Sequence, residues 1–191
     1  MESKHIVLAI TGATGAGFGA AVARRLAASP AVGRVSLLLS PTGRRCLHDE
    51  CGLRADDLAA LSPKVRILDE RNVGADISSG SHLHDGMAVV PCSAGTLGRI
   101  AAGTSEGLVS RAADVCLKER RTLVLCVRET PLNRIHLENM LRVHDAGAVV
   151  MPLMPGYYHH PETLEDLQEA FATRVLDQLG LREPDARRWR G

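Results

Sequence analysis

The chain has 191 residues, 45% of them hydrophobic, enough to bury the core of one ordinary domain without disulfides or metal clips. Its 23 Lys and Arg against 22 Asp and Glu give a net charge of +1, which excludes the basic excess that draws a nucleic-acid backbone or an anionic membrane. The five cysteines (Cys46, Cys51, Cys92, Cys116, Cys126) are odd in number and hold no C-x-x-C pair, which argues against a disulfide framework or a zinc site and for reduced thiols in a cytoplasmic protein.

Met1–Lys4 is polar and the apolar run after it is short and ends in glycines, so it reads as a strand and not a signal peptide. No stretch reaches the roughly 18 apolar residues of a membrane span. In chain order, short Val-, Ile- and Leu-rich runs predict strands at His5–Ile10, Val35–Ser40, Val65–Leu68, Met87–Pro91, Thr122–Val127 and Ala148–Met151. Segments of helical period between them predict helices over Gly17–Ala28, Pro41–Glu50, Thr96–Ala101, Leu108–Glu119, Leu132–His144 and Pro161–Leu179. The strand sequences IVLAI, SLLLS and LVLCV do not alternate apolar with polar, as expected when helices cover both sheet faces. The expected fold is an α/β, three-layer α/β/α sandwich on a mostly parallel, Rossmann-like sheet. No repeat, low-complexity tract or shift in composition divides the chain, so residues 1–191 are expected to form a single domain, with a tail over Arg182–Gly191 that packs against a neighbour.

In such sheets ligands sit beyond the carboxyl ends of the strands. The residues there are Thr11–Gly15, Ser40–Thr42, Pro91–Thr96, Arg128–Pro131 and Pro152–Tyr158, rich in hydroxyls and glycines and carrying one arginine, which together suit an anion-binding crevice. In HIVLAITGATGAGFGAAVARRL (His5–Leu26), Gly12, Gly15, Gly17 and Gly19 permit close approach, and free amides at the following helix N-terminus would attract a phosphate. Gly15-x-Gly17-x-x-Ala20 fits the loose dinucleotide fingerprint, but no acid lies between Thr11 and His48 to hold a ribose hydroxyl. No Walker lysine follows either. The loop therefore points away from NAD and nucleoside triphosphates and toward a mononucleotide such as FMN.

Arg128 and Glu129 follow a buried strand, with Thr130 as a cap and Pro131 at the first helical position, so both charges are expected to project into the crevice. Aromatics are only 3% of the chain, which singles out the adjacent Tyr157 and Tyr158. The pairs His82-x-His84 and His159-His160 lack a third ligand at zinc-site spacing and are expected to pack or face solvent. Cys92 has no identifiable base beside it and reads as structural. Lys118-Glu119-Arg120-Arg121 reads as a solvated helix end.

TGATGA near the start, ISSGSH (Ile77–His82), PCS-x-x-TL (Pro91–Leu97), RAADVCLKERR (Arg111–Arg121), RETPL (Arg128–Leu132), HLENM (His136–Met140), PGYYHHP (Pro155–Pro161) and RVLDQLG (Arg174–Gly180) resemble the UbiX-like flavin prenyltransferases, including the members that belong to phenolic acid decarboxylase systems. The resemblance implies a homo-oligomer, commonly a dodecamer, with sites at subunit interfaces. It implies FMN held by Gly12, Ala13, Thr14, Ser40, Ser93, Ala94, Gly95, Thr96 and Arg128. It implies a prenyl phosphate gripped by Tyr158 and Arg174, with Glu50, Arg111, Lys118 and Glu129 completing a charged site to which neighbours contribute. Thr14 stands where many members have serine, and Pro41 follows Ser40 where lysine is common.

The implied reaction transfers the dimethylallyl group of dimethylallyl phosphate to N5 and C6 of reduced FMN, giving prenylated FMN for a partner decarboxylase. Glu129, with Thr14 and Glu50, is the implied acid–base machinery. The cations Arg111, Lys118, Arg128 and Arg174 would carry the departing phosphate in place of a metal, so no metal is expected. Two other readings stay open on the residues: an FMN-dependent decarboxylase of a peptide cysteine or small acid, and a flavin storage or delivery protein.

Overall fold

A computed structural model describes residues 3–182. From residue 183 on, the expected tail lies outside the described residues. The chain runs β1 (Lys4–Ile10), α1 (Ala16–Ala28), β2 (Val32–Leu39), α2 (Pro41–Cys51), α3 (Ala55–Ala59), β3 (Val65–Leu68), a 3₁₀ turn (Asp76–Ser78), β4 (Gly86–Cys92), α4 (Ala94–Ala101), α5 (Leu108–Lys118), β5 (Thr122–Val127), α6 (Arg134–Asp145), β6 (Val149–Val150) and α7 (Leu164–Gln178). Every strand pairing is parallel and the order is β3-β2-β1-β4-β5-β6, as expected for a sheet whose connections are helical crossovers.

Both faces of the sheet are covered. Ile6, Leu8 and Ile10 face Ala20, Leu26 and, through α7, Phe171 and Val175. Val7 and Ala9 face the opposite way, toward Leu97, Leu108, Ala112, Ala113 and Val143 from α4, α5 and α6. That two-sided burial is why the strand sequences show no period-2 alternation. No helix among the described residues is long and apolar enough to cross a membrane.

Three expectations need correction. Helix α6 starts at Arg134 and not at Leu132 or Pro131, because Asn133, and not Thr130, caps it, accepting from the His136 amide (2.9 Å). Strand β6 shortens to Val149–Val150, since this edge strand pairs only with β5. Helix α3 was not expected: it is a single turn, too short to show a period.

Candidate functional site

The chain leaves β1 toward β2 on one side and later returns to β4 on the other, so the order reverses between β1 and β4. A crevice opens at such a switch point. Thr11, 1% exposed, ties the two strand ends together: its hydroxyl donates to Pro91 O (2.8 Å) and accepts from the Ser93 amide (2.9 Å). Sequence reading placed Thr11 after a strand but gave it no role; the hydroxyl directly following the apolar run was the available signal.

Gly12 is required by its neighbour, since a Cβ there would lie 2.6 Å from Thr42 Cβ at the start of α2. Gly15 (φ 96°) turns the chain into α1. The expected free amides at this helix N-terminus are not free. Glu50 reaches across from α2, and its Oε2 accepts from Gly15 N (2.8 Å) and Ala16 N (2.9 Å). A carboxylate satisfies two of the helix's unpaired donors and complements its dipole. Thr14, exposed, sits directly before this contact, and Ala13 is buried behind it.

Two other helix N-termini open on the crevice. Ser40 caps α2, its Oγ accepting from Gly43 N (3.0 Å). Ser93 caps α4: its Oγ accepts from Thr96 N (3.3 Å) and donates to Thr96 Oγ1 (3.0 Å). Ala94 and Gly95 form the first turn of α4, and Gly95 faces open space apart from Arg99 Nη1 at 3.9 Å. The Arg128 amide donates to Cys92 O (3.0 Å), which fastens the end of β5 to that of β4. Arg128 Nε is buried and, among the described residues, has no hydrogen-bond acceptor. A buried guanidinium N–H without an acceptor beside two capped helix starts fits an anionic nucleotide such as FMN. Glu129 is exposed, its Oε1 accepting from Thr130 N (3.0 Å).

Tyr158 and Arg174 share a cleft of about 190 Å³ with Met151, Met154 and Phe171. The Arg174 guanidinium donates from Nη1 to Asp177 Oδ2 (3.0 Å). This cleft adjoins the glycine loop: Leu153, whose amide donates to Val127 O (2.8 Å), packs against Gly15. An apolar wall with a phenol and a guanidinium suits a small hydrocarbon carrying a phosphate.

Arg111 and Lys118 lie elsewhere. Lys118 ends α5 just before β5 starts, whereas Arg128 and Glu129 follow the end of β5, six residues and therefore roughly 20 Å away along the strand. Lys118 pairs with Glu119, and both abut Gly80. Arg111 donates to Ser78 O (3.0 Å) and to Asp114 Oδ2 (2.7 Å). Arg121 is no solvated helix end: it donates to His82 O (2.9 Å) and Gly80 O (2.5 Å), holding the segment that leads into β4. His84 in that segment is 4% exposed and packs near His5, in line with a packing role. Burial pushes the Cys92 thiol up to about 12, so it is no nucleophile at neutral pH.

The sheet order, the crevice at its switch point and the buried Arg128 Nε, without an acceptor among the described residues, define an α/β protein with the features of a phosphate-ligand site. The profile of the Flavoprotein family matches residues 1–175. A probable UbiX-like flavin prenyltransferase of Streptomyces sp. is 46% identical over 187 residues, 98% of this chain and 92% of the relative. The crystal structure of AnUbiX (PadA1) in complex with FMN and dimethylallyl pyrophosphate superposes with a TM-score of 0.93 at 42% identity, covering 100% of this chain and 99% of that one. That of a dodecameric FMN-dependent UbiX-like decarboxylase from Escherichia coli gives 0.91 at 46% identity, covering 98% and 100%. The chain belongs to the Flavoprotein family and, within it, to the UbiX-like flavin prenyltransferases.

Proposed function

We propose that residues 1–191 form one flavoprotein domain that transfers the dimethylallyl group of dimethylallyl phosphate to N5 and C6 of reduced FMN. The observation that carries this reading is the cleft of Tyr158 and Arg174 against the glycine loop, a second anion site that a protein binding flavin alone has no use for. Gly12, Ala13, Thr14, Ser40, Ser93, Ala94, Gly95, Thr96 and Arg128 would hold FMN, the buried Arg128 Nε meeting an acceptor it otherwise lacks. When bound, the reduced flavin supplies the electron-rich ring that takes up the prenyl carbon.

The residues do the rest. Breaking an allylic C–O bond places charge on the departing phosphate, and preorganised cations lower that barrier. Arg174 and Arg128 stand on the crevice side, and Arg111 and Lys118 would come from a second copy. Each charge-assisted hydrogen bond contributes about 1.5–3 kcal/mol, so four can take over the task of a metal ion. Met151, Met154 and Phe171 keep water from the allylic cation. Glu129, which is exposed, would give a proton to the phosphate, with Thr14 and Glu50 as further acid–base groups. The assembly is a homo-oligomer, read as a dodecamer like the Escherichia coli relative. The protein is placed in the cytoplasm, with neither nucleic acid nor membrane as partner, and its product goes to a prenylated-FMN-dependent decarboxylase.

Purified protein mixed anaerobically with reduced FMN and dimethylallyl phosphate should yield flavin heavier by one prenyl unit. A flavin of unchanged mass, with an active relative as control, overturns the reading in favour of decarboxylation or storage.

A further inference from the structure

Four residues at the start of α4, Thr11, Ser93, Thr96 and Arg99, are joined by consecutive hydrogen bonds. Only the inner two belong to the set proposed to hold FMN. The Thr11 hydroxyl, 1% exposed, accepts from the Ser93 amide (2.9 Å) and donates to Pro91 O (2.8 Å). The Thr11 carbonyl accepts from the Ala13 amide (2.8 Å), so the same residue also shapes the glycine loop. Ser93 Oγ accepts from Thr96 N (3.3 Å) and donates to Thr96 Oγ1 (3.0 Å). One turn further along α4, Arg99 Nη2 donates to the same Thr96 oxygen (3.3 Å).

Counting protons gives this chain of bonds a direction. A hydroxyl has one proton and two lone pairs. Thr11 and Ser93 both spend their protons inside the protein, on Pro91 O and on Thr96 Oγ1. Thr96 Oγ1 receives two donors, so both of its lone pairs are filled. Its own proton, on a residue only 2% exposed, has no acceptor among the described residues. Nor can the direction reverse at Arg99, because a guanidinium has nothing with which to accept. A buried donor without a partner is costly, and a ligand oxygen lying against the start of α4 would relieve it. Accepting from a cation also makes the Thr96 hydroxyl a stronger donor in its turn.

We propose that Thr11 and Arg99 are positioning residues for the flavin site. Thr11 fixes the Ser93 cap from the sheet side, Arg99 fills the second lone pair of Thr96, and together they hold the Thr96 hydroxyl as a donor to an oxygen of FMN. Ser93, its proton already spent, can only accept. The inference rests on the FMN site proposed above and requires no contact of Thr11 or Arg99 with the flavin itself.

A fluorescence-quenching titration of the purified full chain with FMN, beside melting of the FMN-free protein, tests it. Thr11→Val keeps the shape of the side chain but removes the acceptor of the Ser93 amide, and should weaken FMN binding by about 3- to 10-fold. Thr11→Ser keeps the hydroxyl and should restore wild-type affinity. Thr173→Val removes another buried hydroxyl, one that donates to Glu169 O (3.0 Å) within α7, and should leave FMN affinity unchanged whatever it does to melting. Arg99→Met, on an exposed side chain, probes the other end and does not depend on the fold tolerating Thr11→Val. It should weaken FMN binding by about 2- to 5-fold in the wild-type background and have no further effect in Thr96→Val, because Arg99 acts through Thr96. Wild-type affinity in folded Thr11→Val, an equal loss in Thr11→Ser, or an Arg99→Met effect that is absent or of the same size in Thr96→Val overturns the proposal. A wild-type protein that binds no FMN overturns the flavin site and this inference with it; one that binds FMN without prenylating it overturns the proposed reaction alone and leaves the positioning residues to the affinities.

Discussion

Arg128 and Glu129 are adjacent, yet their surroundings differ. Arg128 is tied into the sheet by its amide, and its Nε is buried with no acceptor among the described residues, a costly arrangement that a bound phosphate or flavin oxygen would relieve. Glu129 is exposed and, among the described residues, its carboxylate accepts from the next amide; in the proposed reaction it is the group that exchanges a proton with the substrate. The two variants should therefore split. Arg128→Ala should weaken FMN binding by about 10- to 100-fold, the worth of one charge-assisted bond, in a fluorescence-quenching titration. Glu129→Gln should bind FMN as wild type does and form product more slowly in a single-turnover experiment. Equal FMN affinity for both variants would contradict the separation.

At the scale of elements, most of the fold was legible and the exceptions have local causes. The buried strands announced themselves because both faces are covered, whereas the cap that Ser40 makes on α2 was not anticipated, although serine before proline was the available signal. The start of α6 was misread because Thr130-Pro131 and Asn133 are both good entry signals; in the folded chain the Asn133 side chain reaches the His136 amide and the earlier pair remains loop. The plug of α1 by Glu50 could not be read, since 35 residues separate Glu50 from Gly15 and no periodicity links an acid at the end of one helix to the start of another. Nor did the sequence show that Arg111 and Lys118 sit on the far edge, although the position of α5 just before β5 contained that information. The Glu50 contact makes its own prediction. Loss of a helix cap costs about 1 kcal/mol, and this one is solvent-exposed. Glu50→Ala should lower the melting temperature by about 2–4 °C, as expected for a domain of this size. Glu50→Gln keeps a carbonyl for both amides and should recover most of that loss; equal melting of all three proteins would show that the plug contributes nothing.

At the scale of the whole molecule, the buried histidines at the amino edge of the sheet predict a dependence of stability on pH. His5, on β1, has its ring centroid 5.4 Å from that of His82 and 6.0 Å from that of His84. His5 Nε2 meets Ser36 Oγ at 2.9 Å, and both ring nitrogens of His84 are buried without a partner among the described residues. Burial, then the nearby Arg34 and His82, holds His5 down at about 4, against the pull of Asp76. Burial, then Arg121 and His5, holds His84 down at about 4. Arg34 and His82 both face Asp76, and Asp85 accepts from the His5 amide, so the acids within reach are already engaged. In the unfolded chain both imidazoles titrate near their ordinary value of about 6.5. Between about pH 6.5 and 4 the unfolded state thus binds protons that the folded state refuses, and stability must fall as the pH falls through that window. Both histidines act in the same direction, so their contributions to this loss reinforce each other. The midpoint of urea unfolding followed from pH 7.5 to 4.5 should decline, and His84→Gln, which cannot take up the proton, should flatten the curve. A variant that loses stability with acid as steeply as wild type would show that the drive comes from elsewhere in the molecule.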